Sequence, residues 1–384
     1  MIPPGSWLGL LGGGQLGRMF TMAAQSMGYK VLVLDPGTDS PAGSVADAHL
    51  AADYLDEGAL SEMAARCAAA TTEFENVPAD SLRALSRNCI VSPSADSVSI
   101  AQDRIREKTF LRDSGLGVAP FAVVRAEPDL DGPDIAALLP GVLKVSRFGY
   151  DGKGQARVAD VQALRQAFAQ LRREPCVLER FLPLEREISV VVVRDFDGVV
   201  LTYPPSENQH AHGILDVSIV PARVAPALAD RARAAAIEVA ERLDYRGVLC
   251  VEFFVLAGGE LLVNEIAPRP HNSGHYTIDA CVTSQFEQQA RVLCGLPLGS
   301  TGMHSPAVMV NLLGDLWARG EPRWAHVLRH PLAKLHLYGK REPRPGRKMG
   351  HYTVLAPAVE GALATALEIK RLLAADADAR ERIA

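Results

Sequence analysis

From residue 6 to about 100, apolar runs alternate with amphipathic stretches: WLGLLG, LGRMFTMAAQSMG, KVLVLD, ALSEMAARCAAA, SLRALS and CIVS. Short strands interleaved with helix-period segments predict a small open α/β sheet of three or four parallel strands. A long helical region around SVSIAQDRIREKTFLRDSG carries the chain away and sets a boundary near residue 103. Beyond it come GVLKV, a glycine-rich loop, a helix over about 160–173, and the strand-like runs CVLERFL, REISVVVVRD, GVVLTY and LDVSIVPARV. With the helix-period segment PALADRARAAAIEVAERLD, these predict an α+β domain with antiparallel sheets over 104–300. The runs AVMVNLL, AKLHLYGK and KMGHYTVLA, closed by an Ala-rich helix, predict a small β-rich third unit over 301–384.

Composition sharpens this only by exclusion. The 384 residues are 48% hydrophobic and 22% charged with a net charge of −5, an ordinary balance for a globular enzyme of two or three domains. No long basic run recommends nucleic acid or an anionic membrane as a partner. The N-terminus MIPPGSWLGLLGGG lacks the basic region and apolar core of a signal peptide, and no apolar stretch reaches the length of a membrane span, so a cytoplasmic protein is expected. The six cysteines are scattered with no C-x-x-C spacing and read as reduced, packed thiols. His210-x-His212 and His271-x-x-x-His275 have metal-ligand spacing, but no cysteine accompanies them and the second pair lies in a segment broken by Pro and Gly, which argues against zinc.

Gly12-x-Gly14-x-x-Gly17 follows the first apolar run, and Asp35 ends KVLVLD. Together they match the dinucleotide fingerprint, in which an acid about 20 residues on takes a ribose hydroxyl. The first domain is too short for a complete six-stranded dinucleotide fold, so a nicotinamide dehydrogenase is disfavoured. A helix N-terminus with exposed glycine amides suits any phosphate.

The segment GVLCVEFFVLAGGELLVNEIAPRP reads as a hairpin about Gly258-Gly259, a pair suited to a two-residue turn with positive φ at both positions. Counting outward sets Glu252 opposite Glu265, their Cβ atoms about 5 Å apart. Like charges so placed repel unless something positive lies between them. A hard divalent cation with oxygen ligands, Mg²⁺ holding nucleotide phosphates, resolves the conflict, and Asn264 adds another oxygen. The flap RFGYDGKGQARV, Gly149 to Gln155, lacks the ending of a P-loop and reads as strand-loop-strand, its amides and Lys153 closing over phosphates while Lys144 reaches them from the incoming strand. Glu179, the backbone of Leu182, and Glu187 supply in that order an acceptor for an adenine amine, a donor for a ring nitrogen and a carboxylate for a ribose.

The motifs GGGQLGRM, TEFENVP, QDRIREKTFL, RFGYDGKGQ, NEIAPRPHNSGHYTIDAC and GRKMGHYTV together resemble the ATP-grasp family, and within it the ATP-dependent carboxylases of purine biosynthesis, from about residue 6 to 355. The resemblance implies a three-domain homodimer that uses MgATP and bicarbonate to carboxylate the exocyclic amine of 5-aminoimidazole ribonucleotide. ATP would be contacted by Arg104, Lys144, the flap residues Gly149, Tyr150, Asp151, Gly152, Lys153, Gly154 and Gln155, the run Glu179, Arg180, Phe181 and Leu182, and by Glu187, His210, Asn264 and Glu265. Arg180 stands where relatives often carry another residue, but that contact is expected from backbone. Glu252 and Glu265 would hold Mg²⁺. Arg269 offers a planar fork suited to bicarbonate, with His271, Asn272 and Ser273 as further partners and His275 as a structural histidine. Tyr150 and Asp151 at the flap tip would face the acceptor amine, where Asp151 could orient it or take its proton. Gly14, Gln15 and Leu16 would meet the acceptor's phosphate, with Glu73 and Asn76 near its ribose.

The basic run YGKREPRPGRKMGHY adds Lys340, Arg347 and Lys348 as a clamp on that phosphate from the opposite side, Lys340 nearest the reacting amine. Rival readings are another ATP-grasp ligase, such as a formate-dependent glycinamide ribonucleotide transformylase or biotin carboxylase, a dehydrogenase, and a non-catalytic nucleotide-binding module.

Overall fold

The structure, a computed structural model, describes residues 1–149 and 154–379. Its first sheet has five parallel strands, β1 (Trp7–Leu11), β2 (Lys30–Leu34), β3 (Ala48–Leu50), β4 (Ala69–Thr72) and β5 (Ile90–Val91), in the order β3-β2-β1-β4-β5. That exceeds the three or four expected: β3 is only three residues long, and β4 is hidden in an apparent helix. ALSEMAARCAAA reads as one helix, but the helix stops at Arg66, and Ala69–Thr72 is a fully buried strand beside β1. Small residues are all that fits there: a Cβ on Gly9 of β1 would already stand 2.8 Å from the Met63 sulfur and 3.2 Å from Ala70. Close packing overrides the helix propensity of alanine.

The second sheet is antiparallel, β6 (Phe121–Val124), β7 (Gly141–Val145), β8 (Gln155–Val158) and β9 (Cys176–Arg180), ordered β6-β9-β7-β8. β7 and β8 pair Lys144 with Gln155, so the glycine-rich segment joins two strands as expected.

The third sheet has nine strands: β10 (Leu184–Arg194), β11 (Val200–Thr202), β12 (Ser206–Ala211), β13 (Ile214–Val220), β14 (Gly247–Leu256), β15 (Leu261–Ala267), β16 (Ala307–Leu313), β17 (Ala333–Leu337) and β18 (Lys348–Leu355). Period-2 alternation in β10 feeds two cores. Ile188, Val190 and Val192 pack under the helix Pro226–Arg242, whereas Val191 and Val193 face the opposite layer with Tyr276 and Val292. β16 pairs with β13, so β16, β17 and β18 extend the central sheet rather than capping it. The Ala-rich helix Val359–Ala379 covers that extension through Ala362, Ala366, Ile369 and Leu373.

Helix Gln285–Leu293 ties the first sheet to the third. Its Phe286, Ala290 and Leu293 share a core with Leu16, Met19 and Phe20 of helix Gln15–Ser26, and Val292 packs into the central sheet. All six cysteines are free thiols. Among the described residues no helix is long and apolar enough to cross a membrane.

Candidate active site

The glycine loop leaves β1 at its carboxyl end, where open parallel sheets place their ligands. Gly12 sits at φ +103, a conformation that favours glycine, and a Cβ on Gly14 would lie 2.3 Å from Glu73 Oε1. The acid of the apparent fingerprint is held by local donors. Asp35 Oδ2 accepts from Gly13 N at 2.8 Å and from Tyr54 Oη at 2.7 Å, and Oδ1 accepts from Gly37 N at 2.8 Å. The helix N-terminus is engaged as well. Glu73 accepts from Gly14 N at 2.6 Å, one of the three amides expected to take a phosphate, and from Gly17 N at 2.8 Å. Leu16 is buried in the core and can offer a ligand only its backbone.

Beside the loop lies a cavity of about 460 Å³ lined in part by Gly13, Gly14, Asp35, Tyr54, Glu73 and Arg347. Arg347, the residue before β18, thus reaches this cavity from the side of the third sheet. Lys340 Nζ donates to Gln15 Oε1 at 2.6 Å and to Lys348 O at 2.7 Å, and Arg341 pairs with Asp39 at 2.7 Å. Asn76 follows on the loop after β4 but does not line this cavity.

The hairpin sets Glu252 opposite Glu265. It reaches that register by two departures that cancel. Leu256 N donates to Glu260 O, so the loop holds three residues instead of two, with Gly258 and Gly259 at φ +81 and +79. A one-residue bulge at Asn264 then restores the pairing at the two glutamates.

Each glutamate has a basic neighbour: His271 Nε2 lies 3.0 Å from Glu252 Oε1, and Arg104 Nη1 lies 3.1 Å from Glu265 Oε2. Burial works to raise the Glu252 carboxyl, but His271 overcomes it and holds it at about 2. Burial likewise opposes charge on His271, yet Cys250 and Glu252 raise it to about 10. Asn264 Oδ1 is buried and lacks any hydrogen-bond partner. An orphaned amide oxygen next to two facing carboxylates is an all-oxygen donor set that fits a hard divalent cation.

Two lysines converge on Glu179, Lys108 Nζ at 3.2 Å and Lys144 Nζ at 3.1 Å. Burial acts to raise Glu179, and the lysines prevail, holding it at about 2. Lys144 is itself lowered, by burial and by the nearby Arg104 and Lys108 against the pull of Glu179. The Glu179 side chain, expected to accept from an adenine amine, is thus engaged by two lysines. Glu187 Oε2 sits 3.3 Å from His210 Nδ1, bringing those two expected residues together. Arg180 and Phe181 are exposed, with Phe181 under the Arg157 guanidinium, and Leu182 lies in the connection to β10. Gly149, Gly154 and Gln155 flank the flap tip; Tyr150, Asp151, Gly152 and Lys153 lie outside the described residues.

Asn272 and Ser273, expected beside bicarbonate, are turned inward. Asn272 exchanges two amide hydrogen bonds with Asn311, at 3.0 and 2.6 Å, and the buried Ser273 Oγ bonds Ser189 Oγ at 2.7 Å and His271 Nδ1 at 2.8 Å. Ser273 thereby fixes the His271 ring that faces Glu252. His275 is fully buried against Phe286, Tyr338 and His351, the structural role expected. Asp279, His336 and His351 also bring potential ligand atoms together. The His336 and His351 rings stack at 14°, His336 Nε2 bonds Asp279 and His351 Nδ1 bonds Tyr338 Oη, while the buried His351 Nε2 has no hydrogen-bond partner among the described residues.

Sequence reasoning missed three residues. Lys108 and Glu107 share the helix Arg104–Asp113 with Arg104, and Glu107 Oε1 accepts from Ile266 N at 2.6 Å, next to Glu265. Burial, with Glu265 adding to it, raises Glu107 to about 8. The i,i+4 spacing of Arg104 and Lys108 was the available signal. Glu75 is the third: it accepts a hydrogen bond from Arg269 Nε.

Three family profiles match in order: a ribonucleotide synthetase preATP-grasp domain over 6–102, an ATP-grasp domain over 109–286, and a phosphoribosylaminoimidazole carboxylase C-terminal domain over 307–365. The fold and site are those of an ATP-grasp ligase. A curated N5-carboxyaminoimidazole ribonucleotide synthase of Brucella melitensis is 46% identical over 362 residues, 93% of this chain and 98% of that one. The Staphylococcus aureus N5-carboxyaminoimidazole synthetase complexed with ADP is similar at TM-score 0.89 and 37% identity, covering 96% of this chain and 98% of that one. An Aspergillus clavatus N5-carboxyaminoimidazole synthase in complex with ADP and 5-aminoimidazole ribonucleotide is similar at TM-score 0.87 and 31% identity over 96% and 98% of the two chains. The chain belongs to the N5-carboxyaminoimidazole ribonucleotide synthetase family.

Proposed function

We propose that this enzyme uses ATP and bicarbonate to carboxylate the exocyclic amine of 5-aminoimidazole ribonucleotide, giving N5-carboxyaminoimidazole ribonucleotide, ADP and phosphate. Family membership supports the activity. One observation carries the assignment of the site: Arg269, two residues beyond β15, contacts Glu75 on the loop that borders the acceptor cavity, so the glutamate hairpin and the cavity adjoin.

Bicarbonate is a poor electrophile and needs activation. One of its oxygens attacks the γ-phosphorus of ATP, the bond to the β,γ-bridging oxygen breaks, and carboxyphosphate and ADP result. The amine nitrogen then bonds the carboxyl carbon of carboxyphosphate, or of CO₂ released from it, as phosphate leaves and the amine loses a proton. Lys108 and Lys144, braced by Glu179, cradle the transferred phosphoryl group and its developing charge. Arg269 and His271 orient bicarbonate, and Asp151 at the flap tip takes the amine proton. Glu252, Glu265 and the orphaned Asn264 oxygen would hold Mg²⁺, which when bound supplies Lewis-acid neutralisation of the phosphates. Glu187 and His210 bind the nucleoside end. Arg347, Lys340 and Lys348 bind the acceptor's phosphate together with the amides of Gly14, Gln15 and Leu16, and Glu73 serves its ribose. The family resemblance also brings a homodimer, which sedimentation velocity tests.

The deciding measurement is ADP formation in bicarbonate buffer with and without aminoimidazole ribonucleotide, repeated with formate in place of bicarbonate and glycinamide ribonucleotide in place of the acceptor. Stimulation by aminoimidazole ribonucleotide and bicarbonate alone is expected. Stimulation by formate and glycinamide ribonucleotide would replace this reading with a transformylase.

A further inference from the structure

The loop after β4 holds two glutamates with different duties. Glu73 binds the amides of Gly14 and Gly17 at the start of helix Gln15–Ser26, and Glu75, two residues on, binds Arg269. Gln102 Nε2 anchors the loop by donating to Glu75 O and Val77 O, both at 2.6 Å. Arg269 is mostly buried, with 17% of its side chain exposed. A guanidinium offers a planar anion two paired-donor edges. On Arg269 the Nε edge is engaged by Glu75, and Nη1 also donates to Pro270 O at 3.1 Å. Bicarbonate therefore cannot take the Nε edge in bidentate fashion while Glu75 stays.

We propose that Glu75 is a latch that withholds the Nε edge of Arg269 from bicarbonate until the acceptor's phosphate displaces Glu73 from the Gly14 amide. The inference rests on the function proposed above and assigns a new duty to one residue of that site. A phosphate on the amides of Gly14, Gln15 and Leu16 competes with the Glu73 carboxylate for the Gly14 N–H, so the acceptor favours a loop position that Glu73 opposes. That supplies the differential contact which any ligand-driven shift requires. When Glu73 leaves, the loop carrying Glu75 moves with it and frees the guanidinium edge. Activation of bicarbonate thus waits for the amine that will consume it, and ATP is spared futile cleavage to carboxyphosphate that only water would capture.

The test is the ratio of ADP formed with acceptor to ADP formed without it, in saturating MgATP and bicarbonate. Glu75→Gln keeps the size of the side chain and removes the charge that holds Arg269. It is expected to raise acceptor-free ADP formation at least fivefold, lower the ratio correspondingly and leave the KM for ATP unchanged, with Glu75→Asp restoring part of the wild-type ratio. Gln102→Ala, which loosens the same loop while leaving Glu75 and Arg269 intact, is expected to shift the ratio in the same direction to a smaller degree; it carries the test should Glu75→Gln fail to fold. A Glu75→Gln or Gln102→Ala enzyme that slows equally with and without acceptor, keeping the wild-type ratio, overturns the latch and leaves Glu75 a structural partner. Wild-type ADP formation indifferent to aminoimidazole ribonucleotide overturns the functional reading and the latch together.

Discussion

The glycine loop and the glutamate hairpin both carry carboxylates beside backbone turns, and they use them in opposite ways. At the loop, Asp35 and Glu73 are satisfied by backbone amides of Gly13, Gly37, Gly14 and Gly17 and by the Tyr54 hydroxyl. At the hairpin, Glu252 and Glu265 face each other, each with one basic side chain, and the Asn264 oxygen among them has no partner. Acids that bond local N–H groups hold the loop in place before the acceptor arrives, whereas acids set against each other hold electrostatic tension that a cation can relieve. An acid near a glycine loop is thus no proof of a ligand, and the partners it has already found decide its role.

The largest effect expected from breaking this contrast is on turnover. Glu252→Gln or Glu265→Gln removes an anionic ligand at nearly constant volume and should lower the maximal rate by ~100-fold or more. The melting temperature should fall little, or rise where the repulsion is relieved. Near-wild-type rates in both variants would refute the metal assignment.

At the loop, the same chemical change should act on stability. In Glu73→Gln the new amide must turn its NH₂ toward one of the two buried glycine N–H groups, costing about 1–3 kcal/mol, read as a lower midpoint in urea unfolding. An unchanged midpoint would mean that Glu73 does not cap this helix.

Arg347→Ala removes a cation from the cavity wall and should raise the acceptor's KM at least about tenfold, ~1.4 kcal/mol, with the KM for ATP nearly unchanged. Equal effects on both substrates would place Arg347 outside acceptor binding.

The last effect is invisible at neutral pH. Glu179 is held at about 2, below its ordinary 4.5, so its ionisation contributes stability that is fully present above pH 4.5 and lost as pH falls toward 2. Thermal melts across that window should show a steeper acid loss in wild type than in Glu179→Gln. Parallel curves would mean that the two lysines do not hold this carboxylate in the folded state.

Local pattern carried far in this chain. The parallel first sheet, the β7–β8 flap and the facing glutamates were legible because each depends on periodicity or on a turn a few residues away. Even so, the glutamate register came out right through compensation: the three-residue loop and the Asn264 bulge each shift the pairing by one position. The Ala69–Thr72 strand was illegible because its alanines suit a helix equally well, and only its burial beside β1 decides between them.

The sequence by itself determined which residue types stand at the ends of strands and in turns, and so the kind of chemistry available: facing carboxylates, a basic flap, a glycine-lined helix start. Tertiary structure alone decided which of those groups are free. Arg269 meets Glu75 across 194 residues of chain, Glu73 reaches Gly14 across 59, and Lys340 reaches Gln15 across 325. No periodicity links such pairs. They are brought together by packing of the first sheet and helix Gln15–Ser26 against helix Gln285–Leu293 and the central sheet, and once buried each polar group must take whichever partner lies within reach.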